Sequence, residues 1–316
     1  MSKSKIKKQL LILQDLGVTK QNFEELSLKI NLPFEFINDK CSDILSPEML
    51  EGIITVKEKV DAKLLNNFPN IKFVAVAFTG YDCVDLDLCR EKNIAVFNVP
   101  AYSTNSVAEL AIGLTISLLR EIPATNNIIR SGKWNYRAGT ELSGKSIGIV
   151  GTGAIGIRVA EIFSVLGCDI YGWSRTEQKE FTNLGGKYIP DLETLCSKVD
   201  ILSIHVPLTS ATKNLINKKH FELMKPTAFL INTARGPIVN QNDLTIALQN
   251  KTISGAAIDV YDNEPVAPDD MLLKTTNSIL TPHIAYKTNE ALKRRIEITF
   301  NNIKNFLKGN NENRVD

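Results

Sequence analysis

The sequence predicts an α/β protein of two doubly wound parallel-sheet domains, one inserted into the other. Short apolar runs rich in Ile and Val alternate with stretches of helical period, the rhythm of βαβ units and hence of parallel sheets. That rhythm pauses once, over "PATNNIIRSGKWNYRAGTELSG", and then restarts. With 316 residues the chain is also long for one core and suits two.

Taken in order, "QLLILQD", "EGIITV", "KFVAVAFTG" and "NIAVFNVP" read as buried strands of a first unit. Between them "DAKLLNNF" and "DLDLCREKN" read as helices, each opening on an aspartate (Asp61, Asp85) suited to an N-cap. A long apolar helix, "STNSVAELAIGLTISLLREI", leads to the pause. Beyond it the strands "KSIGIVG", "CDIYGWS", "DILSIHVP", "AFLINTAR", "GAAIDVY" and "SILTPHI" make a second unit, and the amphipathic "NEALKRRIEITFNNIKNFL" closes the chain. Residues 1–103 with 288–316 are thus expected to form one domain, and 104–287 a second domain inserted into it. In such sheets ligands bind at the carboxyl ends of the strands.

Composition narrows the function classes. A hydrophobic fraction of 43%, a charged fraction of 23% and a net charge of +2 are those of an ordinary soluble globular protein. Lys and Arg are scattered, which argues against nucleic-acid or membrane partners. The basic start "MSKSKIKKQ" reads as a solvated tail, and the "LLIL" after it is too short for a signal peptide or a span. Cys41, Cys83, Cys89, Cys168 and Cys196 form no C-x-x-C pair. They are expected to be reduced thiols of a cytoplasmic protein, packed as small hydrophobes, with no disulfide frame and no metal site.

The first motif with chemistry is "GTGAIG". It follows the strand "KSIGIV" and opens a helix with Ile155, Val159, Ile162, Phe163 and Leu166 on its apolar side. Gly151 permits a tight turn, Gly153 lets a pyrophosphate approach the backbone, and Gly156 lets helix pack on strand. The first N–H groups of the helix, from Ala154 and Ile155, then face the phosphates, as in a Rossmann domain. A dinucleotide is the expected ligand. The next strand should end in an acid that grips the ribose hydroxyls. It ends instead in Ser174, Arg175 and Thr176, with Ser174 18 positions beyond Gly156. A hydroxyl and a guanidinium suit a 2′-phosphate, so NADP is the expected cofactor, with NAD possible. The alternative is that Arg175 stacks on adenine, and Glu177 nearby would soften the preference.

Three ionisable residues stand at later strand ends: Arg235 in "INTARGPIV", Glu264 in "DVYDNEP" and His283 in "LTPHIA". A fixed Arg suits a substrate carboxylate, a His suits proton transfer near neutral pH, and a carboxylate beside it holds the imidazolium. Of the other two histidines, His220 is expected at the surface of a polar helix. His205, ending a strand, is expected to pack over the cofactor or bond to backbone.

The order "GTGAIG … HVPLTSATKNLI … MKPTAFLINTARGPIVNQNDL … GAAIDVYDNEP … ILTPHIA", with "FTGYDCVDL", "NVPAYSTNSVAEL" and "RSGKW" upstream, resembles the D-isomer-specific 2-hydroxyacid dehydrogenase family. The likeness is collinear from about Ile71 to the terminal helix. It implies a Rossmann cofactor domain inserted into a flavodoxin-like substrate domain. It further implies that Arg235 orients a 2-oxo acid, that His283 gives the carbonyl oxygen its proton, and that Glu264 pairs with His283. Asp259 would fix the nicotinamide carboxamide, the backbone N–H groups of Thr79 and Gly80 would bind the substrate carboxylate, and His205, Pro207 and Thr233 would line the cofactor.

Two departures narrow the branch. One is Ser174 in place of the ribose-binding acid. The other is "PHIAYKT", whose Tyr286 resembles the hydroxypyruvate reductase and D-lactate dehydrogenase branches, as does Tyr102 in "VPAYSTNSVAE". Both tyrosines read equally as substrate contacts or as wall packing. The resemblance thus implies an NADP-preferring reductase of glyoxylate or hydroxypyruvate. Pyruvate and other short 2-oxo acids are the runner-up substrates, and a non-catalytic NAD(P)-sensing protein is the alternative class. Excess apolar surface on "SVAELAIGLTISLLREI" and "NNIIRSGKWNYRAG" predicts a homodimer.

Overall fold

The computed structural model describes residues 8–38, 47–135 and 138–316. Cys41, the first seven residues of the basic tail, and Tyr136 and Arg137 of the expected dimer surface lie outside that set. The chain divides into two compact units, residues 1–103 with 287–316, and residues 104–286. The return boundary thus falls one residue before the position read from the sequence.

The first unit opens with β1 (Lys8–Ile12), α1 (Lys20–Ile30), β2 (Phe34–Ile37), β3 (Leu50–Thr55), α2 (Ala62–Leu65), β4 (Phe73–Val76), α3 (Leu86–Glu91) and β5 (Ala95–Phe97). The second holds α4 (Thr104–Leu119), α5 (Ile122–Arg130), β6 (Ser146–Val150), α6 (Ala154–Val165), β7 (Asp169–Trp173), α7 (Lys179–Asn183) and β8 (Lys187–Tyr188). It continues with α8 (Leu192–Lys198), β9 (Ile201–Ile204), α9 (Lys218–Leu223), β10 (Phe229–Asn232), α10 (Gln241–Gln249), β11 (Gly255–Ile258) and β12 (Ser278–Leu280). Helix α11 (Asn289–Leu307) returns to the first unit.

All strand pairs within both sheets are parallel. The first sheet runs β2-β1-β3-β4-β5, the flavodoxin-like order. The second runs β12-β11-β10-β9-β6-β7-β8, which is the Rossmann order with one strand added. Its order reverses between β6 and β9, so the loops after these strands flank the switch point, where ligands of such sheets bind.

Local chemistry explains the elements. Asp61 and Asp85 cap α2 and α3 as expected, accepting from Leu64 N (3.1 Å) and Leu88 N (3.0 Å). Every residue of β4, β9 and β11 is buried, as continuous apolar runs in parallel sheets should be. The pause in the sequence rhythm nevertheless contains a helix. Helix α5 buries none of its residues, so its apolar period carries no core signal. Strands β2 and β8 are short edge strands, of four and two residues, without an apolar run. Among the described residues no helix is long and apolar enough to cross a membrane.

The four described cysteines are free thiols. Burial pushes Cys83, Cys89 and Cys168 up to about 11 and Cys196 up to about 12, so they stay protonated. They pack as small hydrophobes.

Candidate active site

The loops that leave β10, β11 and β12 carry Arg235, Glu264 and His283. A chain of hydrogen bonds holds them. Asn232, at the end of β10, accepts from Ala234 N (3.1 Å) and donates to the Arg235 carbonyl (3.0 Å), so its amide shapes the Thr233–Arg235 turn. The Arg235 guanidinium donates to the Ala234 carbonyl at 2.8 Å. Gly236 follows because nothing larger fits: a Cβ there would run into the backbone of Tyr261 and Asp262. The Arg235 turn and the β11 loop are therefore in backbone contact.

The β11 loop begins with Asp259, which is fully buried and accepts from three donors: Thr281 Oγ1 at 2.6 Å, Ile284 N at 2.8 Å and Ala285 N at 2.9 Å. Tyr261 spans the same gap, its hydroxyl donating to the Thr281 carbonyl at 3.0 Å. These bonds wrap the segment from Thr281 to Ala285 around His283, which sits in the left-handed region (φ 53°) that a non-glycine residue adopts only when its surroundings impose it.

At the centre, His283 Nδ1 lies 2.6 Å from Glu264 Oε2, with side-chain exposures of 13% and 31%. The other Glu264 oxygen accepts from Tyr261 N at 3.3 Å. With a carboxylate on Nδ1, that nitrogen carries a proton and Nε2 is the one that gains or loses it. The Tyr286 ring stands edge-on to the imidazole, 5.6 Å between centroids.

The glycine turn fits a dinucleotide. Gly151 has φ 97°, and a Cβ on Gly156 would clash with the Gly151 carbonyl. A Cβ on Gly153 would meet nothing within 4 Å, so the face where phosphates approach is open. Gly153 is also the N-cap of α6 and supplies no side chain, which leaves the first N–H groups of Ala154 and Ile155 for a ligand. At the end of β7, Ser174 is partly exposed and Arg175 and Thr176 are exposed. Thr233 is buried, and its hydroxyl has no hydrogen-bond partner among the described residues. Pro207 is exposed, its carbonyl accepting from Thr212 Oγ1 at 2.6 Å.

In the first unit, Thr79 and Gly80 follow β4. The Thr79 side chain donates to the Val99 carbonyl (2.9 Å) and its own carbonyl accepts from Asn98 (2.8 Å), so the turn is braced. Both sit at least partly exposed at the carboxyl end of the sheet.

Several sequence expectations change. His220 is buried, because its Nδ1 lies 3.2 Å from Asn217 Oδ1 in the capping box of α9; burial lowers its pKa. The His205 imidazole pairs through Nε2 with the Ser203 hydroxyl at 2.8 Å, and desolvation pushes it down to about 3. Asp259, expected to fix the nicotinamide carboxamide, is fully buried, and its three donors also shape the His283 loop. Tyr102 is 1% exposed, packed on Phe78 (6.0 Å between ring centroids) and beneath the Arg295 guanidinium (5.9 Å). The supporting residues Asn232, Tyr261 and Thr281 carry no sequence motif, since they act by bonding backbone or, for Thr281, the distant Asp259 carboxylate.

The chain resembles known proteins along most of its length. Residues 112–285 match the family model described as D-isomer specific 2-hydroxyacid dehydrogenase, NAD binding domain. A glyoxylate reductase of Thermofilum pendens is 40% identical over 260 residues, 80% of this chain and 76% of that protein. The NADPH-dependent glyoxylate/hydroxypyruvate reductase of Sinorhizobium meliloti, solved in complex with NADP and malonate, superposes with a TM-score of 0.86 at 29% identity, covering 98% of this chain and 97% of the other. A D-lactate dehydrogenase of Aquifex aeolicus, complexed with NAD and lactic acid, gives 0.85 at 30% identity, covering 98% and 99%.

Proposed function

The chain belongs to the D-isomer specific 2-hydroxyacid dehydrogenase family, and on that premise we propose that it reduces a small 2-oxo acid of the glyoxylate or hydroxypyruvate type, preferring NADPH. A nicotinamide dinucleotide bound at the glycine turn exchanges a hydride with the substrate carbon. The protein does the rest. Arg235 orients the substrate through its carboxylate and carbonyl, and the N–H groups of Thr79 and Gly80 are donors for a carboxylate. His283 Nε2 gives the carbonyl oxygen its proton, while Glu264 holds the imidazolium that donates it. The observation that carries this reading is the 2.6 Å contact between His283 Nδ1 and Glu264 Oε2. A protein that only sensed the dinucleotide would have no use for an acid–base pair so held. Tyr286, edge-on to His283, supports a substrate with a short side chain.

The cofactor preference rests on Ser174 and Arg175. Within the described residues neither side chain makes a hydrogen bond or ion pair, so both are available to a 2′-phosphate. Initial rates with NADPH and NADH against about ten 2-oxo acids test the whole reading. Pyruvate turning over fastest would favour a D-lactate dehydrogenase, and tight cofactor binding without turnover would favour a sensor.

The protein acts as a homodimer in this reading. Helix α5 buries nothing, and Ile122, Ile129 and Trp134 on it and just beyond are 46%, 55% and 84% exposed. So much apolar surface on one segment suits a second copy of the chain.

A further inference from the structure

The five residues between β7 and α7, Ser174 to Gln178, are tied at both ends by hydrogen bonds. At the start, Gly151 N donates to the Trp173 carbonyl at 2.8 Å. At the far end, Gln178 N donates to the hydroxyl of Tyr188, on β8, at 2.9 Å. That same hydroxyl lies 2.7 Å from Thr152 Oγ1, inside the glycine turn. Between the two anchors, the side chains of Ser174, Arg175, Thr176 and Glu177 make no hydrogen bond or ion pair among the described residues.

The anchor is itself rigid. Thr152 is 1% exposed, and its methyl group lies where a Cβ on Gly172 would meet it. The Tyr188 ring packs on the fully buried Phe181, with 4.8 Å between centroids. One phenolic oxygen therefore ties the turn that takes the pyrophosphate to the loop that carries the arginine. Nothing in the catalytic chemistry of this fold calls for that bond.

We infer that Tyr188 is a positioning residue for cofactor discrimination: its hydroxyl holds the loop from Ser174 to Gln178 so that Arg175 is presented to a 2′-phosphate. This rests on the NADP reading above. A loop fixed at both ends has lost its freedom before the ligand arrives, whereas a loop released at one end must be ordered by the ligand at the expense of affinity. Only the part of the ligand that touches the loop should feel the difference. The pyrophosphate, held by the glycine turn and the start of α6, should not.

Calorimetric titration with 2′,5′-ADP and with ADP reads this directly, on wild type, Tyr188→Phe, Arg175→Ala and the double variant. Tyr188→Phe removes the oxygen and keeps the ring against Phe181. It should weaken 2′,5′-ADP by about three- to tenfold, the worth of one neutral hydrogen bond, and ADP by less than about twofold. In the Tyr188→Phe background, Arg175→Ala should cost less than in wild type, since the two act through one contact. Equal weakening of both ligands, unchanged 2′,5′-ADP binding, or strictly additive losses would make Tyr188 a structural residue only and overturn the inference. Arg175→Ala leaving 2′,5′-ADP binding intact would instead overturn the 2′-phosphate reading itself, whatever Tyr188→Phe does.

Discussion

His283 donates from Nδ1 to Glu264 at 2.6 Å, and the backbone of His283 takes up a left-handed φ of 53° to do so. The strain is local and its restraints are visible: Asp259 accepts from Ile284 N and Ala285 N, directly after the strained residue. Proton transfer needs a fixed donor, and the fold spends buried hydrogen bonds to fix one.

His283→Asn should therefore lower kcat by about 10²- to 10⁴-fold, the usual share of a positioned acid–base group, and leave cofactor affinity nearly intact. Glu264→Gln should cost less. The double variant should be no worse than His283→Asn alone, because the two residues act as a unit. Steady-state rates and fluorescence titration of the cofactor check this; wild-type turnover in His283→Asn removes the residue from the mechanism.

Arg235→Lys keeps the charge and loses the planar fork. It should raise the substrate KM by roughly 10- to 150-fold, the worth of a hydrogen bond between charged groups. A Lys variant with unchanged KM would mean that Arg235 is a structural cation and that the carboxylate is held elsewhere.

Much of this was legible in the sequence because the chemistry sits in motifs at strand ends. The glycines, Arg235, Glu264 and His283 each follow an apolar run that ends in a parallel sheet, and such runs announce themselves. The supporting shell does not. Asp259 gains a role in the sequence only through the family resemblance, and its three donors come from residues 22 to 26 positions away, a distance no local pattern spans. His220 departs from its expected surface position for a different, local reason. Its helix is polar in sequence, but the capping box with Asn217 turns the imidazole inward. Tyr102 shows the converse: its place in a site motif says nothing of its burial, which comes with packing on Phe78, 24 positions away.

His205 makes a prediction about acid stability. Its folded-state pKa of about 3 lies below its unfolded value of about 6.5, so on acidification the unfolded chain takes up a proton that the folded chain refuses. Stability should fall as pH drops from about 6.5 toward 3. His205→Gln keeps a hydrogen-bonding side chain beside Ser203 and does not titrate, so the melting temperature should fall less steeply over that window. His220, also lowered by burial, and the lowered carboxyls of Glu51, Asp200 and Asp316 contribute in the same direction and leave a residual slope. Parallel curves of Tm against pH for wild type and His205→Gln would contradict the assignment.

The exposed segment around α5 gives a test of assembly. Ile129→Asp together with Trp134→Ser places polar groups on a surface that the fold leaves uncovered. Light scattering should then report a monomer where wild type is a dimer, with an unchanged circular dichroism spectrum. A wild-type monomer at micromolar concentration, or an intact dimer in the variant, places the interface elsewhere.

The end of β7 gives the sharpest test of the cofactor. If Ser174 and Arg175 take the 2′-phosphate, wild type should use NADPH with a higher kcat/KM than NADH. Ser174→Asp should reverse this, because a carboxylate there accepts from the free ribose hydroxyls and repels the phosphate. Arg175→Ala should raise the KM for NADPH by roughly 10- to 150-fold, the range for a lost hydrogen bond to a charged group, and hardly alter that for NADH. Since Arg175 is exposed, the contact is screened: the NADPH advantage should shrink as salt rises and the Debye length falls below about 8 Å. A salt-independent preference, or equal weakening of both cofactors by Arg175→Ala, would mean that the guanidinium stacks on the adenine, which the two cofactors share. The missing acid would then leave only a looser hold on the ribose.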